Sequence, residues 1–184
     1  MAEEKQPAWC WLDLEMTGLD PAKDRILEAA IIITSPDFNE VLAEWESAVF
    51  QPPEVLAGMN EWCQKTHGES GLTERVPNGI SEQELDAKLS GFAEQFWGKQ
   101  TVILCGNSIG QDRKFVDRYL PRFSSRLHYR MLDVSSFKIV FQERYDQRFA
   151  KQGTHRALDD IRESIGELKF YLEAIDIDRM TNPT

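Results

Sequence analysis

The chain has 184 residues, a formal net charge of −10, 41% hydrophobic and 28% charged residues, a length for one domain with a real core and an ordinary globular balance. Its longest apolar stretch, residues 29–33, is far short of the roughly 20 a membrane-spanning helix needs, and residues 1–7 lack the basic start and apolar run of a secretory signal; the expectation is a cytoplasmic protein with no membrane partner. The acidic balance argues against holding long nucleic acid through many phosphates, which takes a basic face, but it leaves room for a short anionic substrate and for carboxylates that bind divalent cations.

Residues 9–16 alternate as a half-buried strand does, with Leu12, Leu14 and Met16 on one face and Trp11, Asp13 and Glu15 on the other. An isoleucine-rich strand over 25–34 and another over 40–50 flank a turn at 35–39, which predicts an antiparallel three-strand start. Pro52 and Pro53 open a helix in which Val55, Leu56, Met59, Trp62 and Cys63 recur at helical spacing. Ser81 and Glu84 form a capping-box pattern, and Leu85, Leu89, Phe92 and Phe96 run down one face of the helix that follows. A short apolar strand over 101–105 ends in Gly106-Asn107-Ser108 and leads to a helix marked by Phe115, Val116 and Tyr119 and stopped by Pro121. A fifth strand is predicted over 129–134, and Leu158, Ile161, Ile165, Leu168 and Leu172 form a helical stripe near the end of the chain, with Thr154 as its N-cap. Strands alternating with helices imply an α/β layered domain. Cys10, Cys63 and Cys105 are odd in number and widely spaced, as reduced thiols are rather than a disulfide framework or a zinc site.

Asp13 and Glu15, two apart on a strand, project from the same face, where a divalent cation offsets their repulsion; a solvent-facing edge strand would carry the same pair. Asp112, three and four residues before Phe115 and Val116, points to the inward side of its helix, although a first-turn carboxylate favoured by the helix dipole has the same position. His155 and Asp160, five apart, do not share a helix face; they converge if His155 lies in the preceding loop while Asp160 flanks the stripe beside Ala157 and Ser164. Asp159 is the rival carboxylate, on the opposite flank near Glu163.

Taken together, WLDLEMTGL, GNSIGQD and HRALDDI resemble the three motifs of the DEDD exonuclease superfamily, and the histidine points to its DEDDh branch. With HYRMLDVSS and GTHRALDDIRES the resemblance is to oligoribonucleases and covers nearly the whole chain. It implies an RNase H-like exonuclease fold with a mixed central sheet flanked by helices, as one exonuclease domain over residues 1–184 with flexible ends at about 1–7 and 177–184. It further implies two Mg²⁺ or Mn²⁺ ions on Asp13, Glu15, Asp112 and Asp160, with His155 as general base, and 3′-to-5′ hydrolysis of short single-stranded RNA, diribonucleotides above all, to 5′-mononucleotides. The same resemblance sets Leu19 and Trp62 beside the bases and Ser108, Arg130 and Ser135 around a terminal phosphate with His67 nearby, and it implies a homodimer in which Tyr129 reaches across from the second subunit. On periodicity alone Trp62 belongs to the core and Leu19 closes a turn. Between Asp133 and His155 the chain is a few residues shorter than the family pattern, which bears on the dimer contact and the pocket shape. Two other readings share these residues: a DEDDh exonuclease trimming longer RNA or DNA ends, and a non-catalytic nucleotide-binding scaffold on the same fold.

Overall fold

The computed structural model describes residues 7–150 and 156–175. A five-stranded sheet runs in the order β3-β2-β1-β4-β5, built from β1 (Trp9–Met16), β2 (Ile26–Thr34), β3 (Val41–Ala48), β4 (Val102–Gly106) and β5 (Leu127–Asp133). β1 and β3 are antiparallel to β2, whereas β4 is parallel to both β1 and β5, so the sheet is mixed. The crossovers are helical: α4 (Glu82–Trp97) precedes β4, and α5 (Gly110–Tyr119) with α6 (Pro121–Ser124) joins β4 to β5. The last elements among the described residues are α7 (Val134–Tyr145) and α8 (Ala157–Glu173).

Both faces of the sheet are covered. Leu12 and Leu14 pack with Leu85 and Leu89 of α4 and Phe115 of α5 on one side, while Trp11 packs with Val134 of α7 and Ile161, Leu168 and Tyr171 of α8 on the other. The alternation predicted for β1 therefore separates two cores, and its acidic half lies under α8 and not in open water. All nine residues of β2 are buried, as a strand sandwiched on both faces requires.

The capping box of α4 forms as expected: the Ser81 hydroxyl accepts from Glu84 N at 3.2 Å, and Glu84 accepts from Ser81 N at 2.8 Å. The single helix expected after Pro52 is instead two, α1 (Pro53–Ala57) and α2 (Glu61–Glu69). Asn60 restarts the helix by accepting from Cys63 N, and its turn rotates Met59 and Cys63 into a small cluster with Leu27, Leu72 and Val76 while Trp62 swings out. A short helix, α3 (Leu72–Arg75), follows. Sequence periodicity also missed α7, because its aromatic residues face α8 while Ile139 and Val140 are exposed, which blurs a one-sided stripe. α8 begins at Ala157 with Arg156 as its cap; the expected cap Thr154 lies outside the described residues.

Candidate active site

β1 and β4 are paired only at Cys10↔Leu104 and Trp11↔Cys105. Beyond that point they part, and the gap at the carboxyl ends of two parallel strands is where open α/β sheets place their sites. Gly106 makes the parting tight, since a Cβ there would lie 2.9 Å from the Leu12 carbonyl oxygen. Asp112, in the first turn of α5, fills the vacated hydrogen-bond position: its Oδ1 accepts from Leu14 N at 3.0 Å. The helix dipole and this backbone donor favour its charged form, but burial outweighs them and pushes Asp112 up to about 7.

Asp13 and Glu15 project beside it, and α8 brings Asp160 against them, so that one carboxylate oxygen from each of the three lies within 4.8 Å of the others. Burial, followed by the charges of Asp112, Glu15 and Asp160, holds Asp13 well above the usual carboxylate range. Burial and then Asp160, Glu28 and Asp112 push Glu15 up to about 8. Half-buried oxygens that repel one another to this extent are a donor set for hard divalent cations, which bind oxygen ligands and neutralise the excess charge. Asp159 faces away and forms an ion pair with Arg162 at 3.0 Å, which Arg162 shares with Glu44.

Around the cluster the predicted residues fall into separate groups. Leu19 is 72% and Trp62 64% exposed, so neither serves the core as periodicity suggested for Trp62. The loop bearing Leu19 is tied down: Asp24 accepts from Asp20 N and the Thr17 hydroxyl, and the Tyr119 hydroxyl lies 2.8 and 2.7 Å from the carbonyls of Pro21 and Asp24. Gly18 admits the Asp24 carboxylate to a space where a side chain would collide at 2.5 Å. His67 is only 2% exposed; its Nε2 sits 2.9 Å from the Met16 carbonyl and so carries a proton, which turns Nδ1 toward Glu15 at 3.9 Å.

Ser108 and Ser135 are brought together, hydroxyl to hydroxyl, at 3.0 Å. Ser108 takes a left-handed φ of 52°, a conformation costing a non-glycine residue roughly 1–2 kcal/mol. Hydrogen bonds from its N–H to Asp133 Oδ1 at 2.9 Å and Ser135 Oγ at 2.8 Å hold it there. Arg130 stands on the edge strand β5 with its guanidinium 5.3 Å from the Tyr129 ring, and Tyr129 is 74% exposed. His155 lies outside the described residues.

Sequence reasoning passed over Glu28 and Arg75. Glu28 of β2 is paired directly opposite Glu15, is buried and meets Arg75 of α3 at 2.7 Å, which ties α3 to the strand beside the acidic one. The signal was present: a carboxylate inside an otherwise apolar strand is buried only with a partner.

Carboxylates gathered where two parallel strands part, under α8, form a candidate divalent-cation site of the kind a metal-dependent nuclease uses. Solved structures carry the same fold: exonuclease I from Methylocaldum szegediense superposes with a TM-score of 0.70 at 17% identity over 90% of this chain and 40% of that one. The zinc-bound E. coli exonuclease I–ssDNA complex gives 0.68 at 15% over 92% and 41%. The chain thus spans about 40% of those exonuclease I chains, and at such identity the likeness concerns fold alone. The RNase_T exonuclease family model matches residues 10–168. The chain is 51% identical over 168 residues to the oligoribonuclease of Francisella tularensis subsp. tularensis, covering 90% of this chain and 94% of that one. It is likewise 51% identical over 170 residues to that of Vibrio parahaemolyticus, covering 90% and 93%. The chain belongs to the RNase_T exonuclease family, among the oligoribonucleases.

Proposed function

We propose that this chain is a 3′-to-5′ exoribonuclease that hydrolyses short single-stranded RNA, above all diribonucleotides, to 5′-mononucleotides. The observation that carries the reading is the convergence of Asp13, Glu15 and Asp160 beside Asp112, a set of four carboxylates matched to two divalent cations, Mg²⁺ or Mn²⁺. When bound, such ions activate a water and stabilise the oxygen that leaves phosphorus. In the reaction water adds to the scissile phosphorus, the bond to the 3′ oxygen of the preceding nucleotide breaks, and that oxygen takes up a proton.

The chain's own groups supply the rest. His155, two residues before α8, takes the proton of the attacking water, a role suited to a side chain with an unperturbed pKa of about 6.5. Leu19 on its loop and Trp62 on α2, both exposed, stack against bases without reading their sequence. Ser108 and Ser135 offer paired hydroxyls to the terminal phosphate, with Arg130 as the charged donor. A pocket that encloses this phosphate restricts length, and the net charge of −10 suits a substrate with few phosphates. His67, which the resemblance sets near the terminal phosphate, is buried against Met16 and Glu15 and takes part in the substrate site from that position. In this reading the enzyme works in the cytoplasm, and each copy of the chain is a single exonuclease domain.

A length series tests the reading. With Mn²⁺ and 5′-labelled RNAs of two to about ten residues, cleavage is expected to be fastest on the dinucleotide, to stop on chelation, and to fall about 10²- to 10⁴-fold in His155→Ala with metal binding retained. Fastest cleavage of long RNA or matched DNA overturns the short-substrate assignment, and loss of Mn²⁺ binding in His155→Ala overturns the general-base role.

The reading includes a homodimer in which Tyr129 of one copy completes the site of the other. Its support is the exposed tyrosine on β5, the edge of the sheet, because unpaired strand edges are ready association surfaces. Light scattering is expected to return twice the chain mass of 21.2 kDa, and Tyr129→Ala to raise KM; a monomer with full activity excludes the contribution.

A further inference from the structure

Behind the Ser108–Ser135 pair runs a chain of polar groups, half-buried at Asn107 and buried at Ser164, Glu167 and Tyr171, that takes no part in the chemistry above. Asn107, the first residue after β4, donates from its amide nitrogen to Ser164 Oγ at 2.8 Å and to Glu167 Oε2 at 3.1 Å. Its amide oxygen accepts from Ser135 Oγ at 3.4 Å. Glu167 is 1% exposed, and its other oxygen accepts from the Tyr171 hydroxyl at 3.0 Å; Tyr171 is fully buried in the core beneath α8.

The chemistry of the partners determines which way the Asn107 amide faces. Ser164 spends its proton on the Asp160 carbonyl at 2.8 Å, so it meets Asn107 with a lone pair, and the Glu167 carboxylate offers acceptors only. Both amide protons must therefore point to α8, and the amide oxygen must point to Ser135. Among the described residues, Tyr171 donates to one oxygen of the buried Glu167 side chain and Asn107 to the other, and burying such a group is costly unless its donors are fixed. Asp160, Ser164, Glu167 and Tyr171 follow one another at spacings of three or four residues along one face of α8. The helix that brings Asp160 to the carboxylate cluster thus also anchors the residue that precedes Ser108 and touches Ser135.

We propose that Asn107, backed by Glu167 and Tyr171, is a positioning residue for substrate length: it registers the two-serine pocket to Asp160 on a single helix, so that the distance from terminal phosphate to scissile phosphorus is set by α8. The inference rests on the reading of Ser108 and Ser135 as hydroxyl donors to that phosphate, Ser135 turning its proton from the Asn107 amide oxygen to the phosphate when substrate binds. The strained φ of Ser108 is consistent with it, since the left-handed turn brings the hydroxyl against Ser135 and is held there by groups that include Ser135 itself.

The experiment measures kcat/KM with Mn²⁺ for an RNA dinucleotide with and without a 5′-phosphate, and takes the ratio. Wild type, Asn107→Ala, Tyr171→Phe, Ser135→Ala and the Tyr171→Phe/Ser135→Ala double variant are compared. Asn107→Ala and Ser135→Ala are expected to lower the ratio about ten-fold, as loss of a charge-assisted hydrogen bond does. Tyr171→Phe, which keeps the ring in the core, is expected to lower it a few-fold, and to have no further effect once Ser135 is alanine. General damage to the fold would lower both substrates alike and leave the ratio unmoved, which overturns the inference. A ratio lost in Ser135→Ala but kept in Asn107→Ala, or Tyr171→Phe acting additively with Ser135→Ala, also overturns it. An unchanged ratio in Ser135→Ala itself removes the phosphate reading, and the inference with it. Should Asn107→Ala fail to fold, the Tyr171→Phe cycle alone decides between the same outcomes.

Discussion

Replacing Asp160 with asparagine is expected to weaken Mn²⁺ binding at least about 100-fold, since removal of groups that merely orient a ligand already costs 10- to 100-fold, and to take turnover down with it. The reason is geometric: Asp160 is the residue that α8 contributes within 4.8 Å of Asp13 and Glu15, and asparagine keeps its shape while removing its charge. Asp159→Asn is the matched control. Asp159 shares an exposed Arg162 with Glu44, and one partner of a surface ion pair contributes at most about 1 kcal/mol, so this variant is expected to bind metal and turn over within about two-fold of wild type. Calorimetric titration with Mn²⁺ beside single-turnover cleavage decides the matter. Full activity in Asp160→Asn with loss in Asp159→Asn would reverse the assignment.

The metal-free protein is expected to lose stability as pH rises from about 4 to about 8. Asp112 and Glu15 are pushed up to about 7 and about 8 from ordinary values of 3.8 and 4.5. Between those limits the folded chain holds protons that the unfolded chain has released. Unfolding free energy changes with pH in proportion to protons bound by the unfolded state minus those bound by the folded state, and here that difference is negative. Stability from this source is complete below the unfolded values and is lost as pH climbs through the folded ones. A tenfold difference in proton affinity between the folded and unfolded chain is worth about 1.4 kcal/mol, and with the two groups interacting we expect a fall of at least about 2 kcal/mol across the window. Saturating Mg²⁺ should flatten the curve, because a cation stabilises the ionised carboxylates that protons had neutralised. Glu15→Gln should flatten it without metal. Urea titrations between pH 4.5 and 8.5, with chelator and with Mg²⁺, measure the slope; a metal-free stability that rises across this range contradicts the account. By the same linkage, metal affinity strengthens with pH and binding releases protons, which calorimetry in buffers of different ionisation enthalpy detects.

These two predictions draw on different levels of the molecule, and so did their legibility. The alternation of β1, the capping box of Ser81 and Glu84 and the stripe along α8 follow from the two and 3.6 residue periods of strand and helix, which are properties of a few neighbouring residues. They were enough to place a pair of carboxylates on one strand face, to offer Asp112 an inward position beside its first-turn alternative and to predict an α/β layered domain; the mixed sheet came with the family resemblance. Local pattern failed where a segment answers to partners far along the chain. The helix after Pro52 breaks because Asn60 and the cluster around Leu27 reward a new helix start, and α7 escaped notice because its aromatic side is defined only by α8.

What the sequence by itself determined is therefore the set of elements and the motif residues, with the family resemblance they carry. What the tertiary structure alone decided is convergence. Asp112 meets the backbone of Leu14 across 98 residues, the Asp160 that the family resemblance had already named comes within reach of Asp13 and Glu15 while Asp159 turns to Arg162, Glu28 finds Arg75, and Asn107 is locked to Glu167. None of these has a spacing rule. Each exists because burying a carboxylate is tolerable only when a donor or a cation arrives from elsewhere in the fold, and that arrival is decided by how the sheet and its helices pack.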